Sequence, residues 1–268
     1  MYMSENKKMT KHPLGKTFFT FFLYGVLYVV LVNVKGIFTQ GVIVLGNEYV
    51  FSDALDILIG FFVLILYWGL HRKDLKDFFT VRRTGKGLLM GWSLLLVGST
   101  MWFINFIQGI PQGNFFVALI MGIAPGFCEE VIFRIIPIST IQRLPAKNKK
   151  QALLITYLVS GMGFGLVHAF NVLIGADPVS TMLQVLYAVG MGLLFGGLYL
   201  LTGNLWVTVI LHSFLDFASF MSASGQEAGG VLKESNNWLS NVVILIYTVL
   251  IYINAFLIWR KMKEKKIF

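Results

Sequence analysis

The sequence predicts an all-α, polytopic membrane protein of about eight spans, a single integral membrane domain over residues 1–268 with both termini in the cytoplasm. Three observations predict it. Hydrophobic residues make up 56% of the chain and charged residues only 13%, against about 25% charged in a soluble globular domain. The apolar residues fall in runs of roughly 20, the length that crosses a hydrocarbon core as a helix. The cations gather at the ends of those runs instead of forming a stripe on a folded face, which is where topology-setting charge sits. The net charge of +9 therefore gives no reason to expect a nucleic-acid partner.

The apolar segments are Phe18–Leu45, Phe51–Leu70, Leu88–Ile110, Phe115–Ile141, Ala152–Ile174, Thr181–Leu201, Leu205–Met221 and Leu239–Trp259. The first has a candidate break at Lys35–Gly36. With no small-residue cleavage site before Lys35, it reads as a retained span and not as a removed signal peptide. Basic residues occupy alternate connections. Lys7, Lys8, Lys11 and Lys16 precede the first segment, and Arg72, Lys73, Lys76, Arg82, Arg83 and Lys86 follow the second. Arg143, Lys147, Lys149 and Lys150 follow the fourth, and Arg260, Lys261, Lys263, Lys265 and Lys266 follow the last. The intervening connections hold little that is basic beyond Lys35 and Lys233. Eight spans put all the clusters on one side, the cytoplasmic side by the positive-inside rule, whereas seven would strand one of them outside. The polar stretch Ser222–Asn237 then lies outside, and Thr202-Gly203-Asn204 makes a tight hairpin inside. A single cysteine excludes an intramolecular disulfide and a multi-cysteine zinc site.

The residues able to do chemistry lie in the second half of the chain. The fourth segment contains Cys128-Glu129-Glu130 followed by Arg134. An ionised group at mid-membrane costs about 2.5–3.5 kcal/mol on insertion scales, so each such residue calls for a reason. Glu130 and Arg134, four residues apart, share a helix face and neutralise each other. Glu129 lies about 100° around the helix without a local partner, a condition that suits a general base working near neutral pH. The competing reading of the cluster is a structural group of ion pairs or part of an ion path, although buried charges in membranes are functional-site candidates by default.

The fifth segment brings Gly161 and Gly165, a small-xxx-small packing face, and His168. The sixth repeats the packing device with Gly192 and Gly196 and has no ionisable group. The seventh brings His212 and Asp216, again four apart, a pair able to hold a metal, to orient a polarised carbonyl, or to satisfy itself. Three separate spans thus each bring acid–base groups, and a shared polar cavity is what compensates for burying all of them. There is no His-Glu-x-x-His zinc-protease pattern. Cys128, rotated off the face of Glu129, reads as a small filler. Asp53 and Asp56, at the start of the second segment, read as solvated.

Glu129-Glu130-x-x-x-Arg134 with Phe133, Phe164-x-x-x-His168 and His212-x-x-x-Asp216, in this order and in separate spans, resemble the three motifs of the CAAX protease and bacteriocin-processing family of membrane proteins, also called the Abi family. The approach Thr202–Val207 is similar as well, and the resemblance covers about Phe115–Phe217. It implies proteolysis inside the membrane on a peptide or membrane-protein substrate, in bacteriocin or signal-peptide processing or in self-immunity. It further implies that Glu129 activates the attacking water together with His168, and that Glu130 and Arg134 hold the surroundings. His212 and Asp216 would stabilise the oxyanion or position the water. The resemblance leaves a metal open. A divalent ion such as zinc would take Glu129, His168, His212 and Asp216 as ligands.

The wholly membrane-bound design with short loops looks like the bacterial branch, which implies the bacterial cytoplasmic membrane. Two departures stand out: Ile135 where a glycine often follows the motif arginine, and Asp216 where eukaryotic prenyl proteases have asparagine. An aspartate donates to an oxyanion only when protonated. On ideal straight spans, at 1.5 Å per residue, Glu129, His212 and His168 spread over about 10 Å in depth, which tilted or shifted spans must close. The competing readings are a non-enzymatic partner that regulates another membrane protein and a small ion or proton transporter. The latter is disfavoured because no inverted repeat is visible.

Overall fold

Without water to satisfy its backbone, an apolar run in a bilayer closes its hydrogen bonds within itself, and the described apolar runs are helical over most of their length, although the first is helical only to Thr39 and not to Leu45. The computed structural model describes residues 11–71, 80–107, 109, 112–144, 147–221 and 238–268. Its helices are α1 (Pro13–Thr39), α2 (Val50–His71), α3 (Thr84–Met90), α4 (Trp92–Ile107), α5 (Phe115–Glu130), α6 (Ile136–Arg143), α7 (Lys149–Leu166), α8 (Pro178–Thr202), α9 (Leu205–Phe220) and α10 (Trp238–Glu264). A π-helical turn, Val131–Ile135, joins α5 to α6, and a 3₁₀ turn, Val167–Ile174, extends α7. The loop expected outside, Ser222–Asn237, and the cations Lys7, Lys8, Arg72, Lys73 and Lys76 lie outside the described residues.

Among the described residues, six helical stretches are long and apolar enough to cross a membrane. There is a seventh if α3 and Trp92–Ile104, bent by 72°, form one broken span. The apolar α9 has 16 residues, about 24 Å of helix at 1.5 Å per residue. The protein is therefore an all-α polytopic membrane protein with six to seven candidate spans. The expected break at Lys35–Gly36 is absent, since α1 runs through it. Lys35 instead reaches α2, with Nζ 2.6 Å from Asp56 Oδ2 and donating to the Ser52 carbonyl at 3.2 Å. Asp56 is thus paired and only 15% exposed at its side chain, not solvated.

Burial divides the helices. α1, α2 and α10 present large apolar side chains such as Phe19, Phe22, Leu58 and Phe256 to their surroundings, as lipid-facing helices do. The core sits where α5, the π turn, α8 and α9 meet, with Phe127, Ile135, Leu194, Phe195 and Leu211 enclosed. α7 and α8 cross on their glycines: a Cβ on Gly161 would lie 3.0 Å from Leu193 N, and one on Gly165 would lie 2.8 Å from Val189 Cα. The small-residue face expected in the fifth segment is this contact.

Two breaks in helical hydrogen bonding are repaired by neighbouring helices, as burial in lipid requires. At the α3–α4 bend, the Met90 carbonyl accepts from Asn254 Nδ2 of α10 at 3.0 Å. The Ser93 amide and hydroxyl donate to Asn254 Oδ1 at 3.3 and 2.9 Å. At the start of α6, Pro137 has no N–H to return to the Phe133 carbonyl, and the Ser160 hydroxyl of α7 donates to that carbonyl instead. Asn254→Leu is expected to leave the bend unsatisfied and to lower stability by at least about 1–3 kcal/mol. Thermal unfolding in detergent measures it, and an unchanged midpoint would show that the bend does not depend on Asn254.

Candidate active site

The site is built at the joint between α5 and α9. Gly122 and Gly126 let α5 lie directly on the α9 backbone: a Cβ on Gly122 would sit 2.8 Å from Ser213 O, and one on Gly126 would sit 2.7 Å from Ser213 N. Glu130 is one turn beyond Gly126 on the same face, so the close approach carries it against α9. Here the helix widens into the π turn, a feature that frequently marks functional positions. The sequence reading missed this pair of glycines, although Gly122-x-x-x-Gly126 is itself a small-xxx-small signal.

Glu130 and Arg134 are fully enclosed, with Arg134 Nε 3.1 Å from Glu130 Oε2 and Nη2 donating to Oε1 at 3.2 Å. The Nε approach is an ion-pair contact without hydrogen-bond geometry, so the pair is held by one hydrogen bond and by charge. The guanidinium carbon also lies 4.7 Å from the Phe164 ring centroid and 5.6 Å from that of Phe195. Such cation–π contacts help to offset its desolvation. The partnership read from the spacing is this one.

His212 is the hub. Its Nδ1 lies 3.3 Å from Glu130 Oε1, and its Nε2 lies 3.8 Å from Glu129 Oε2 and 3.4 Å from Asp216 Oδ2. The ring stacks on Phe195 at 5.3 Å and takes Phe164 edge-on at 5.5 Å, which fixes its plane. Thr208, one turn before His212 on α9, turns its hydroxyl back to the Leu205 carbonyl at 2.9 Å. A carboxylate paired with arginine only accepts, so His212 Nδ1 carries a proton toward Glu130. Nε2 faces two further carboxylates at ion-pair distance, an arrangement that a proton on the imidazole or on one of the acids makes favourable. Glu129 and Asp216 are 28% and 26% exposed at their side chains, whereas Glu130 is sealed. The two accessible acids thus converge on one imidazole nitrogen.

His168 stands apart. It lies half-buried in the 3₁₀ turn, and its Nδ1 is 2.9 Å from the Phe164 carbonyl. A carbonyl only accepts, so Nδ1 carries a proton, and in the neutral imidazole the lone pair lies on Nε2. Among the described residues no carboxylate lies within 4.0 Å of His168. Its link to His212 is the Phe164 ring, edge-on to both. Folding therefore closes the expected depth gap between Glu129 and His212, while His168 makes no direct contact with either.

Asn171, one 3₁₀ turn after His168, donates to Gln184 of α8 at 2.9 Å and ties the turn to that helix. Cys128 is enclosed and its thiol donates to the Asp56 carbonyl at 2.9 Å, in keeping with a filler between α2 and α5.

The residues do not fit a metal as expected from the four-ligand set. Among the described residues no group of three or more His, Cys, Asp and Glu side chains is arranged to hold an ion. Within the set of Glu129, His168, His212 and Asp216, His168 lies away from the carboxylates. His212 already has an acid at each nitrogen.

A small-residue wedge should be sensitive at this joint. Gly126→Val is expected to cost about 1–3 kcal/mol through overpacking and to slow turnover by shifting Ser213 and the adjacent His212. Gly25→Val, where a Cβ meets nothing within 4 Å, is the matched control. Equal melting temperatures and rates for the two variants would remove the α5–α9 contact from the account.

A helical bundle that buries an acid–histidine cluster in this way is consistent with one class of protein, the intramembrane hydrolases of glutamate–histidine type. Residues 111–218 match the family model described as type II CAAX prenyl endopeptidase Rce1-like. The matched segment nearly coincides with Phe115–Phe217, where the motifs lie. No curated protein and no solved structure matches the chain.

Proposed function

We propose that the protein is an intramembrane endopeptidase that hydrolyses a peptide or membrane-associated precursor with a glutamate-activated water. The observation that carries this reading is the convergence of two partly exposed carboxylates, Glu129 and Asp216, on His212 Nε2 while sealed Glu130 holds Nδ1. Glu129 takes a proton from a water whose oxygen attacks the scissile carbonyl carbon. The C–N bond then breaks, and the proton passes from Glu129 to the leaving amine. His212 and protonated Asp216 stabilise the oxyanion between these steps. His168, in its neutral form with the lone pair on Nε2, orients the water from the 3₁₀ turn. Glu130 and Arg134 keep the imidazole in register.

In this reading residues 1–268 act as one membrane domain with eight crossings, counting the bent α3–α4 pair and the short α9. Both termini lie in the cytoplasm, because the basic clusters then share that side. The membrane is the bacterial cytoplasmic membrane. The substrate belongs to bacteriocin or signal-peptide processing, or to self-immunity.

The test is incubation of the protein, purified into bilayers, with candidate precursor peptides, with products read by mass spectrometry. One internal cut by wild type and none by Glu129→Gln is the expected result. Equal cutting by both would end the catalytic claim. Restoration of a null phenotype by the double variant Glu129→Gln, Glu130→Gln would point to a binding partner instead.

A further inference from the structure

At the basic end of the bundle, away from the acid–histidine cluster, an open cavity of about 120 Å³ is lined by Arg83, Lys86, Met90, Leu201, Thr202, Lys261 and Lys265. Its four cations come from two segments far apart in the chain. Among the described residues none of them is ion-paired, and Glu264, although beside them in sequence, does not line the cavity. Like charges gathered round one opening repel one another, so the fold must hold them there.

Specific contacts do so. Asn204, fully enclosed in the α8–α9 turn, donates from Nδ2 to the Arg82 carbonyl at 3.1 Å and to Thr84 Oγ1 at 2.8 Å, which pins the chain on both sides of Arg83. Gly87 then lies against Val207, where a Cβ would come within 2.8 Å of a methyl, and Lys86 is carried to the same opening. On the other wall, α10 packs its Ile258 and Met262 onto Gly197 of α8. Lys261 and Lys265, one turn apart, consequently share a face. Met90 and Leu201 give the cavity an apolar wall, and the neighbouring Leu89 and Trp92 are exposed as lipid-facing residues are.

We propose that this cavity is a phosphate site that takes the headgroup of an anionic phospholipid, its phosphodiester between the two basic pairs and its glycerol against Met90 and Leu201. Four donors with formal charge suit a phosphate oxyanion, and basic pockets between spans at the membrane surface hold such headgroups. The same oxyanion chemistry is offered by free phosphate, and the apolar wall favours the lipid.

The experiment uses the full chain in a neutral detergent, titrated separately with phosphatidylglycerol, phosphatidylcholine and inorganic phosphate. Retention is read by native mass spectrometry and stabilisation by thermal shift. Phosphatidylglycerol is expected to be retained and to raise the melting temperature, and phosphatidylcholine to do neither. The variant Arg83→Gln, Lys86→Gln, Lys261→Gln, Lys265→Gln is expected to bind phosphatidylglycerol at least about tenfold more weakly. A control that removes the same charge elsewhere, Lys16→Gln, Lys147→Gln, Lys149→Gln, Lys150→Gln, keeps the wild-type affinity. If the fourfold variant does not fold, Lys261→Gln, Lys265→Gln carries the same comparison. Displacement of the lipid by inorganic phosphate, with the same stabilisation, assigns the site to the free anion. Equal binding by site variant and wild type, equal weakening in the control, or no binding of either phosphate probe overturns the proposal.

Discussion

Glu129→Gln is expected to lower the rate of peptide cleavage by about 10²–10⁴-fold, the usual contribution of a positioned general base, while leaving the melting temperature nearly unchanged. The asymmetry follows from its surroundings. Glu129 is the acid of the adjacent pair that remains partly exposed, and its nearest basic partner is His212 Nε2 at 3.8 Å. That is too long for a hydrogen bond and short enough for one to form as substrate draws the site together. Removing its charge therefore breaks little that holds the fold.

His168→Ala provides the second arm of the measurement. If His168 orients the water, the loss approaches that of Glu129→Gln. If it only tethers the 3₁₀ turn to Phe164, cleavage falls no further than the melting temperature explains. Full activity of purified Glu129→Gln would assign the base elsewhere, with Asp216 next in place.

The opposite balance is expected one residue away. Arg134→Met leaves Glu130 charged, enclosed and without its counter-ion, and breaking a buried pair in this way costs about 3–5 kcal/mol. Glu130→Gln carries a comparable penalty from the Arg134 side. The double variant Glu130→Leu, Arg134→Met removes both charges and should recover most of that stability, since apolar replacements of a buried pair are often neutral. Cleavage should nevertheless stay low, because His212 Nδ1 loses the carboxylate that fixes its proton. Thermal unfolding and turnover measured together separate the two roles. Recovery of both stability and activity in the double variant would show that Glu130 does not serve the imidazole.

The fold was largely legible because lipid is an exacting solvent: apolar length and basic ends are enough to mark spans. What misled were local features judged without neighbours. Lys35 looked like a break in its run, yet a helix in lipid keeps its backbone bonds, and the lysine satisfies itself on Asp56 across to α2. The 72° bend between α3 and α4 was not readable, because the Asn254 side chain that makes it tolerable lies more than 160 residues away in the chain.

Within the site, the Glu130–Arg134 pair was legible because an i,i+4 relation is local helix geometry. The sequence also supplied the cast of Glu129, His168, His212 and Asp216 on three spans, since every buried ionisable group stands out against an apolar background. Their mutual distances were settled only by packing. Gly122 and Gly126 let α5 touch α9 and so decide that Glu129, Glu130 and Asp216 gather on His212. The 3₁₀ turn after α7 leaves His168 behind Phe164. By itself the sequence determined a helical membrane protein with acid–base groups in three spans, because periodicity and burial cost act along one chain. Which of those groups meet was decided by the tertiary structure, because backbone approach between helices depends on the side chains of both.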